Sequence, residues 1–226
     1  MDTGVKIMSY DNRRYALLEA RPGFYPHLWF HYLRGYKHAF QALVEDVLRK
    51  NIPVDYMAHP ILFVARHAIE IGLKANVFEL EQYTKCRFSK IENCHKITKW
   101  LLEFNRQVHE FYDICETKQI SIDQTDKDSY DKYYQYLFEL IKGNDKFDGL
   151  GEIDDGSIKF RYPYEWISRD KSKPPTKRVF EVADIVSIAE VEKLFNEAIV
   201  LLEYTPEVLH PYMKQFNNNE SGCLEE

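Results

Sequence analysis

The sequence predicts an all-α protein, folded as an up-and-down helical bundle of about five long helices with a short β or irregular insert before the last helix. Two observations carry this prediction. Apolar and aromatic residues recur at intervals of three and four positions in five segments, which is the spacing of helices that bury one side. Polar stretches with proline, asparagine or aspartate separate the segments and end each helix. With 226 residues, 45% of them hydrophobic, the chain is long enough for one sizeable core.

The five helical segments have recognisable boundaries. They are residues 28–50, 60–82, 95–115, 130–142 and a last segment that starts at Asp184 or Ser187 and ends near residue 204. Asn-Ile-Pro at 51–53 ends the first helix, and Pro60 suits the first turn of the second, where its missing N–H costs nothing. The polar sequence QISIDQTDKDS predicts a connection before the fourth helix. Pro206 and Pro211 interrupt the chain after the fifth.

Three parts of the chain lack helical periodicity. Residues 1–27 form an irregular N-terminal segment, in which 15–18 suit a short strand. Residues 143–183 form the insert, rich in glycine, aspartate and aromatic residues; within it SIKFRYP (157–163) predicts a strand, in a hairpin over a turn at Asp155 and Gly156. Residues 216–226 predict a disordered tail. The helical domain therefore spans residues 28–215.

The second helix carries a row of charged residues on an otherwise apolar surface. Arg66, Glu70 and Lys74 recur at every fourth position, so they share one side of the helix. Small residues collect on the opposite side and predict a close helix–helix seam: Ala65, Ala68, Gly72 and Ala75. Two interpretations of the row remain open. It is either a solvated stripe joined by ion pairs, or the lining of a groove in which two cations face an anionic ligand and Glu70 holds them.

Three short motifs resemble the helical HEPN superfamily. ARHAIEIGLKAN (65–76) is similar to a helix that members of this superfamily carry, HKITKWL (95–101) follows about twenty residues later in the place of their His-containing helix start, and FRYPYEW (160–166) resembles a late segment of bacterial members. The resemblance implies an all-α bundle that commonly forms homodimers. It also implies engagement of RNA or nucleotide, often in bacterial toxin–antitoxin or phage-defence systems, with a cognate antitoxin or enzyme as a further partner.

Catalytic HEPN proteins are metal-independent endoribonucleases with an Arg-x4-6-His motif, and the resemblance suggests a site in this chain. The ribose 2′-OH attacks the adjacent phosphate while histidine moves a proton and arginine stabilises the developing charge. In this hypothesis His95 transfers the proton, Arg66 contacts phosphate and Glu70 orients Arg66. Further phosphate-binding candidates are Lys74, Arg161 and Arg87. Tyr162 and Tyr164 could stack on a base, or cover an end of the bundle.

Other arginine–histidine pairs compete with this assignment. Arg34 and His38 are four apart on the first helix and form the alternative catalytic pair, although three intervening residues are one fewer than the motif needs. Arg21 and His27 have the spacing but lie in a loop with two prolines. Lys90 stands at the right distance from His95, but lysine cannot form the bidentate contact with phosphate. His95 is also open to a purely structural role, as a helix cap or a packed residue.

Composition limits the remaining possibilities. The formal net charge of −6 means that any RNA contact is local rather than spread over a whole face. The four cysteines form no zinc-like set, and neither Cys94 with His95 nor HEFYD (109–113) supplies a metal site, so we predict no metal and no cofactor.

No apolar run approaches the roughly 18 residues of a membrane span, and the predicted location is the cytoplasm. Two functions stay open. The first is an RNA-directed HEPN-like protein, with a ribonuclease effector as its catalytic form, and the second is a noncatalytic module for dimerisation or partner binding.

Overall fold

The computed structural model describes residues 26–50, 52–84, 94–161, 164–165, 177–178 and 185–222. Over these residues the protein is helical apart from loops and one two-residue β pairing. The helices are α1 (Pro26–Lys50), α2 (Val54–Thr84), α3 (Ile97–Thr117), α4 (Gln124–Lys142), α5 (Leu150–Asp154), α6 (Ile188–Leu202) and α7 (His210–Gly222). The all-helical class predicted from the sequence is therefore confirmed.

Helix α2 is the central element of the fold. It packs against α1, α3 and α6, and its apolar residues lie in the same core cluster as aromatic side chains from α1 and α3. The predicted small-residue seam is present, since a Cβ placed on Gly72 would lie 2.8 Å from the Leu202 Cβ of α6. Glycine at this position lets the two helices approach closely.

Three helices begin earlier than the sequence predicts, α1 by only two residues. α2 starts at Val54, so Pro60 lies inside the helix rather than in its first turn, and its ring removes one backbone hydrogen bond of the helix. α4 starts at Gln124, inside the predicted connection. The reason is a cap: the Asp123 carboxylate accepts a hydrogen bond from the Thr125 N–H at 2.8 Å.

The strand predicted at 157–163 is wrong over its described part. Residues 157–161 follow α5 as a succession of turns. The Asp154 side chain causes this path, because its two oxygens accept hydrogen bonds from the Ile158 N–H at 2.8 Å and the Phe160 N–H at 3.1 Å. The β pairing lies further along, as two antiparallel residue pairs between Tyr164–Glu165 and Lys177–Arg178. The strand predicted at 15–18 lies outside the described residues.

The chain continues in helical form after α6. The Ser187 hydroxyl caps the start of α6, as one of the two predicted starts requires, and a π-helical turn (Thr205–Leu209) with Pro206 near its start follows. Helix α7 then extends to Gly222, through residues that the sequence places in a disordered tail. Phe216 explains this extension, because it is 5% exposed and packs edge-on against Tyr83 of α2, with ring centroids 5.4 Å apart.

Candidate functional site

The charged row of α2 lies inside the protein. Arg66 is 0% exposed, Glu70 3% and Lys74 9%. Ion pairs do join the row, with Arg66 Nη1 3.0 Å from Glu70 Oε2 and Lys74 Nζ 2.7 Å from Glu70 Oε1. The interpretation of a solvated stripe is nevertheless wrong, because a stripe of that kind would be exposed. Buried charges are expensive unless every partner is in place, so the contacts of each residue in the row decide what it does.

Arg66 holds three parts of the chain together through its guanidinium. Nε donates to the Asp154 carbonyl oxygen at 2.7 Å, and Nη2 donates to the Asp155 carbonyl oxygen at 2.8 Å and to the carbonyl oxygen of His95. Together with the Glu70 bond, these contacts occupy four of the five N–H groups that an arginine offers. The guanidinium is therefore a buried internal clamp between α2, the start of α3 and the turn after α5.

Glu70 is the shared anion of the row. Its Oε1 accepts from Lys74 Nζ and also lies 2.9 Å from His95 Nδ1. Burial raises the pKa of the Glu70 carboxyl, but the hydrogen bond and positive charge of Lys74 outweigh burial, helped by the hydrogen bonds from His95 and Arg66, and the pKa falls to about 2. Glu70 is thus a carboxylate at neutral pH and only accepts hydrogen bonds.

His95 is the member of this network that reaches solvent. Its side chain is 62% exposed, although Nδ1 contacts the buried Glu70. Because Glu70 only accepts, Nδ1 carries the proton in this contact, and Nε2 of the neutral ring is left as a proton acceptor. The structure therefore presents an imidazole in a fixed orientation, backed by a carboxylate.

The turn after α5 supports His95 from the other side. Asp155 Oδ1 accepts hydrogen bonds from the Thr98 N–H at 3.2 Å and from the Thr98 hydroxyl at 2.8 Å, in the first turn of α3. Reasoning from the sequence treated Asp155 only as a hairpin residue and missed this contact. A signal was present: lysine cannot accept a hydrogen bond from the first turn of a helix, and Lys96, the N-cap residue of α3, makes no side-chain cap, so a cap has to come from elsewhere.

Arg161 lies on the exposed surface, and its guanidinium contacts nearby side chains. Its Nε donates to the Ser157 hydroxyl at 3.2 Å, and its guanidinium carbon is 5.4 Å from the centroid of the Phe63 ring. Phe63 in turn stacks on His67, at 5.7 Å between centroids. Burial lowers the pKa of His67; Glu70 opposes this change and Arg161 adds to it. Arg161 is therefore the exposed cation of this group.

The remaining candidates stand apart from the network or outside the described residues. Arg34 on α1 is held by Glu203, at 2.8 Å, and by Glu207, at 3.1 Å. The hydrogen bond that Arg34 donates to Glu203 raises the pKa of Arg34. His38 is exposed on the same helix. Arg87 and Tyr162 lie outside the described residues, as do Arg21 and Lys90.

Neither of two open cavities belongs to the His95 network. One, of about 550 Å³, is lined in part by Lys142, Phe147 and Ile153, and the other, of about 300 Å³, by Tyr112 and Lys127. Across the described ranges, no three or more histidine, cysteine or acidic side chains are grouped so as to hold a metal ion. In the same part of the chain no helix is long and apolar enough to cross a membrane.

Comparisons of the chain with protein-family models, with curated proteins and with solved structures give no match. The geometry around His95 is therefore the basis for any functional assignment.

Proposed function

We propose that the chain is a HEPN-like up-and-down bundle that engages RNA or nucleotide at the face of His95, and that it acts as a metal-independent endoribonuclease effector of a bacterial toxin–antitoxin or phage-defence system. The observation that carries this proposal is the contact between the exposed imidazole of His95 and the buried carboxylate of Glu70, at 2.9 Å. A histidine held in this way has a fixed ring orientation and a free nitrogen, which is what a general base requires.

Glu70 and Arg66 have different roles from those that the sequence suggests, whereas His95 remains the group that moves the proton. His95 Nε2 takes the proton of the ribose 2′-OH as the oxygen attacks the neighbouring phosphorus. The bond from phosphorus to the 5′-oxygen breaks, and this leaving oxygen takes a proton from water, so the products are a 2′,3′-cyclic phosphate and a 5′-hydroxyl. Glu70 stabilises the imidazolium that forms. Arg66 holds the backbone of His95, since its guanidinium is buried and engaged. Arg161 contacts the phosphate in this proposal, because its guanidinium is exposed and can form paired hydrogen bonds with phosphate oxygens.

A second function is favoured by a specific observation, the complete burial of Arg66. An arginine that stabilises phosphoryl charge has to reach the substrate, and this one binds carbonyl oxygens of its own chain. The alternative is a noncatalytic HEPN-like module that forms homodimers or binds a partner protein. In that case the network of Arg66, Glu70 and Lys74 keeps the bundle together, and His95 is an exposed surface residue.

Cleavage assays distinguish the two functions. Total tRNA and a defined single-stranded RNA are incubated in EDTA with the wild-type protein, with His95→Ala and with His31→Ala, which removes an exposed histidine of α1. The proposal expects cleavage by the wild type and by His31→Ala, and at least about a hundredfold loss in His95→Ala, the usual range for a general base. The mass of each protein in solution reports dimer formation in the same samples.

Two results would contradict the proposal. If His95→Ala still cleaves RNA, the catalytic site is not at His95, and His38→Ala would then test the pair on α1. Absence of cleavage on both substrates, with a stable dimer, would favour the noncatalytic module.

A further inference from the structure

The first turn of α3 depends on a residue more than fifty positions away. Lys96 at its N-cap makes no side-chain hydrogen bond to the helix. The Thr98 N–H, which a local cap residue would normally bind, is instead bound by Asp155 Oδ1 at 3.2 Å, and the Thr98 hydroxyl binds the same oxygen at 2.8 Å.

Asp155 is also joined to His95 by a second route. Its carbonyl oxygen accepts from Arg66 Nη2 at 2.8 Å, and the same nitrogen donates to the carbonyl oxygen of His95. Asp155 is therefore connected to His95 in two ways, through Thr98 and the backbone of residues 95–98, and through Arg66. The carboxylate of Asp155 thus holds the backbone at Thr98, and its carbonyl is joined through Arg66 to the carbonyl of His95.

The imidazole itself has little else to hold it. Its side chain is 62% exposed, and within the described part of the chain its one ring hydrogen bond is the contact of Nδ1 with Glu70. Glu70 is anchored by Arg66 and Lys74, so it does not follow the ring if the ring moves. The contact therefore survives only while the backbone at residue 95 stays in place.

We propose that Asp155 is a positioning residue for His95. Its carboxylate fixes the first turn of α3 and so keeps the imidazole within hydrogen-bond distance of Glu70. Asp155 does not touch the substrate in this proposal. It rests on the proposed function in one respect, that His95 is the proton-transfer group, whereas the position of the ring can be measured without any substrate.

The test reads the protonation state of each ring nitrogen by NMR of the full chain labelled with ¹⁵N-histidine. At a pH of about 8, above the ordinary imidazole pKa of about 6.5, the wild type is expected to carry the proton of His95 on Nδ1. His95→Ala assigns the signal. In Asp155→Ala the ratio of the Nδ1–H form to the Nε2–H form is expected to fall about tenfold, the effect of one lost hydrogen bond. Asp155→Asn retains an acceptor oxygen and should restore the wild-type signal.

Matched variants separate positioning from general loss of stability. Asp123→Ala removes the corresponding cap of α4, in which a carboxylate accepts from the backbone N–H two positions later, and it should lower the melting temperature without moving the His95 signal. Thr98→Val perturbs the Asp155 contact more mildly, in case Asp155→Ala does not fold, and should shift the His95 signal in the same direction.

The outcomes are distinct from those of the cleavage assay. An unchanged His95 signal in Asp155→Ala and Thr98→Val overturns the positioning role, as does an equal shift in Asp123→Ala. If the NMR result is as expected and the wild type cleaves RNA, Asp155→Ala should lower kcat with little change in KM, because only the geometry of the base is affected. If the wild type cleaves nothing, the proposed function fails while the NMR result still decides the positioning of His95.

Discussion

Replacing Arg66 by alanine should strongly destabilise the protein. The change removes a fully buried guanidinium that donates to the Glu70 carboxylate and to three backbone carbonyl oxygens. Breaking a buried ion pair by removing one partner costs about 3–5 kcal/mol, because the other charge stays behind. Lys74 still neutralises Glu70 in part, but the carbonyl oxygens lose their donor as well, so we expect about 4 kcal/mol. That is a large share of the 5–15 kcal/mol by which a typical domain is stable.

Urea unfolding measures this loss. With a slope of about 3 kcal/mol per molar urea, the midpoint should fall by more than about 1 M. Arg34→Ala is the matched control, because Arg34 also bonds to two carboxylates, yet its side chain is 54% exposed. An exposed pair is worth about 0–1 kcal/mol, so its midpoint should shift by no more than about 0.3 M. If Arg66→Ala falls within the same small shift at an unchanged slope, the internal clamp does not contribute what its burial implies.

Three further predictions concern the same core. The pKa of Glu70 is about 2, below its ordinary 4.5. The ionised carboxylate therefore stabilises the fold above pH 4.5, and this contribution is lost as the pH falls toward 2. The urea midpoint of Glu70→Gln should vary less with pH over this range than the midpoint of the wild type. Gly72→Ala should lower stability by about 1–3 kcal/mol through overpacking on Leu202, 2.8 Å away, whereas Gly35→Ala, with nothing within 4 Å, should raise it by about 0.5–1 kcal/mol, as measured by thermal unfolding. Asn76→Ala should cost about 2 kcal/mol or more in urea unfolding, because it leaves buried backbone groups at the end of α6 without their partner; a loss under about 0.5 kcal/mol would mean that water replaces the amide.

The sequence predicts the helices better than it predicts where they begin. Periodicity places the body of α2 and α4 correctly because burial of one side extends over many turns. The starts depend on single contacts, such as the Asp123 cap, and these look like ordinary polar loop residues. The sequence does not predict helix α7, because Pro206 and Pro211 indicate an interruption, whereas the π-helical turn that contains Pro206 leads directly into the helix.

The sequence predicts which charged residues of α2 lie on one side of the helix, but it does not predict whether they are buried. The spacing alone places Arg66 and Glu70 on one side of α2, and the family resemblance directs attention to His95. Whether that side faces water depends on what covers it, and the cover comes from the carbonyl oxygens of Asp154 and Asp155. Those residues are almost ninety positions away, and backbone carbonyls carry no sequence signature. Local periodicity therefore cannot distinguish a buried row from an exposed one.

The contrast between His95 and Arg66 separates chemistry from stability. His95 is mostly exposed and Arg66 is completely buried, so replacing His95 should leave the urea midpoint nearly unchanged, whereas replacing Arg66 should lower it. Loss of cleavage in Arg66→Ala would consequently say nothing about catalysis until activity is expressed per folded molecule. Arg66→Met, which keeps much of the buried volume, makes that comparison feasible. If its kcat per folded molecule falls by about tenfold, as expected for one lost positioning contact, while His95→Ala is inactive, the guanidinium positions His95 and the imidazole does the chemistry.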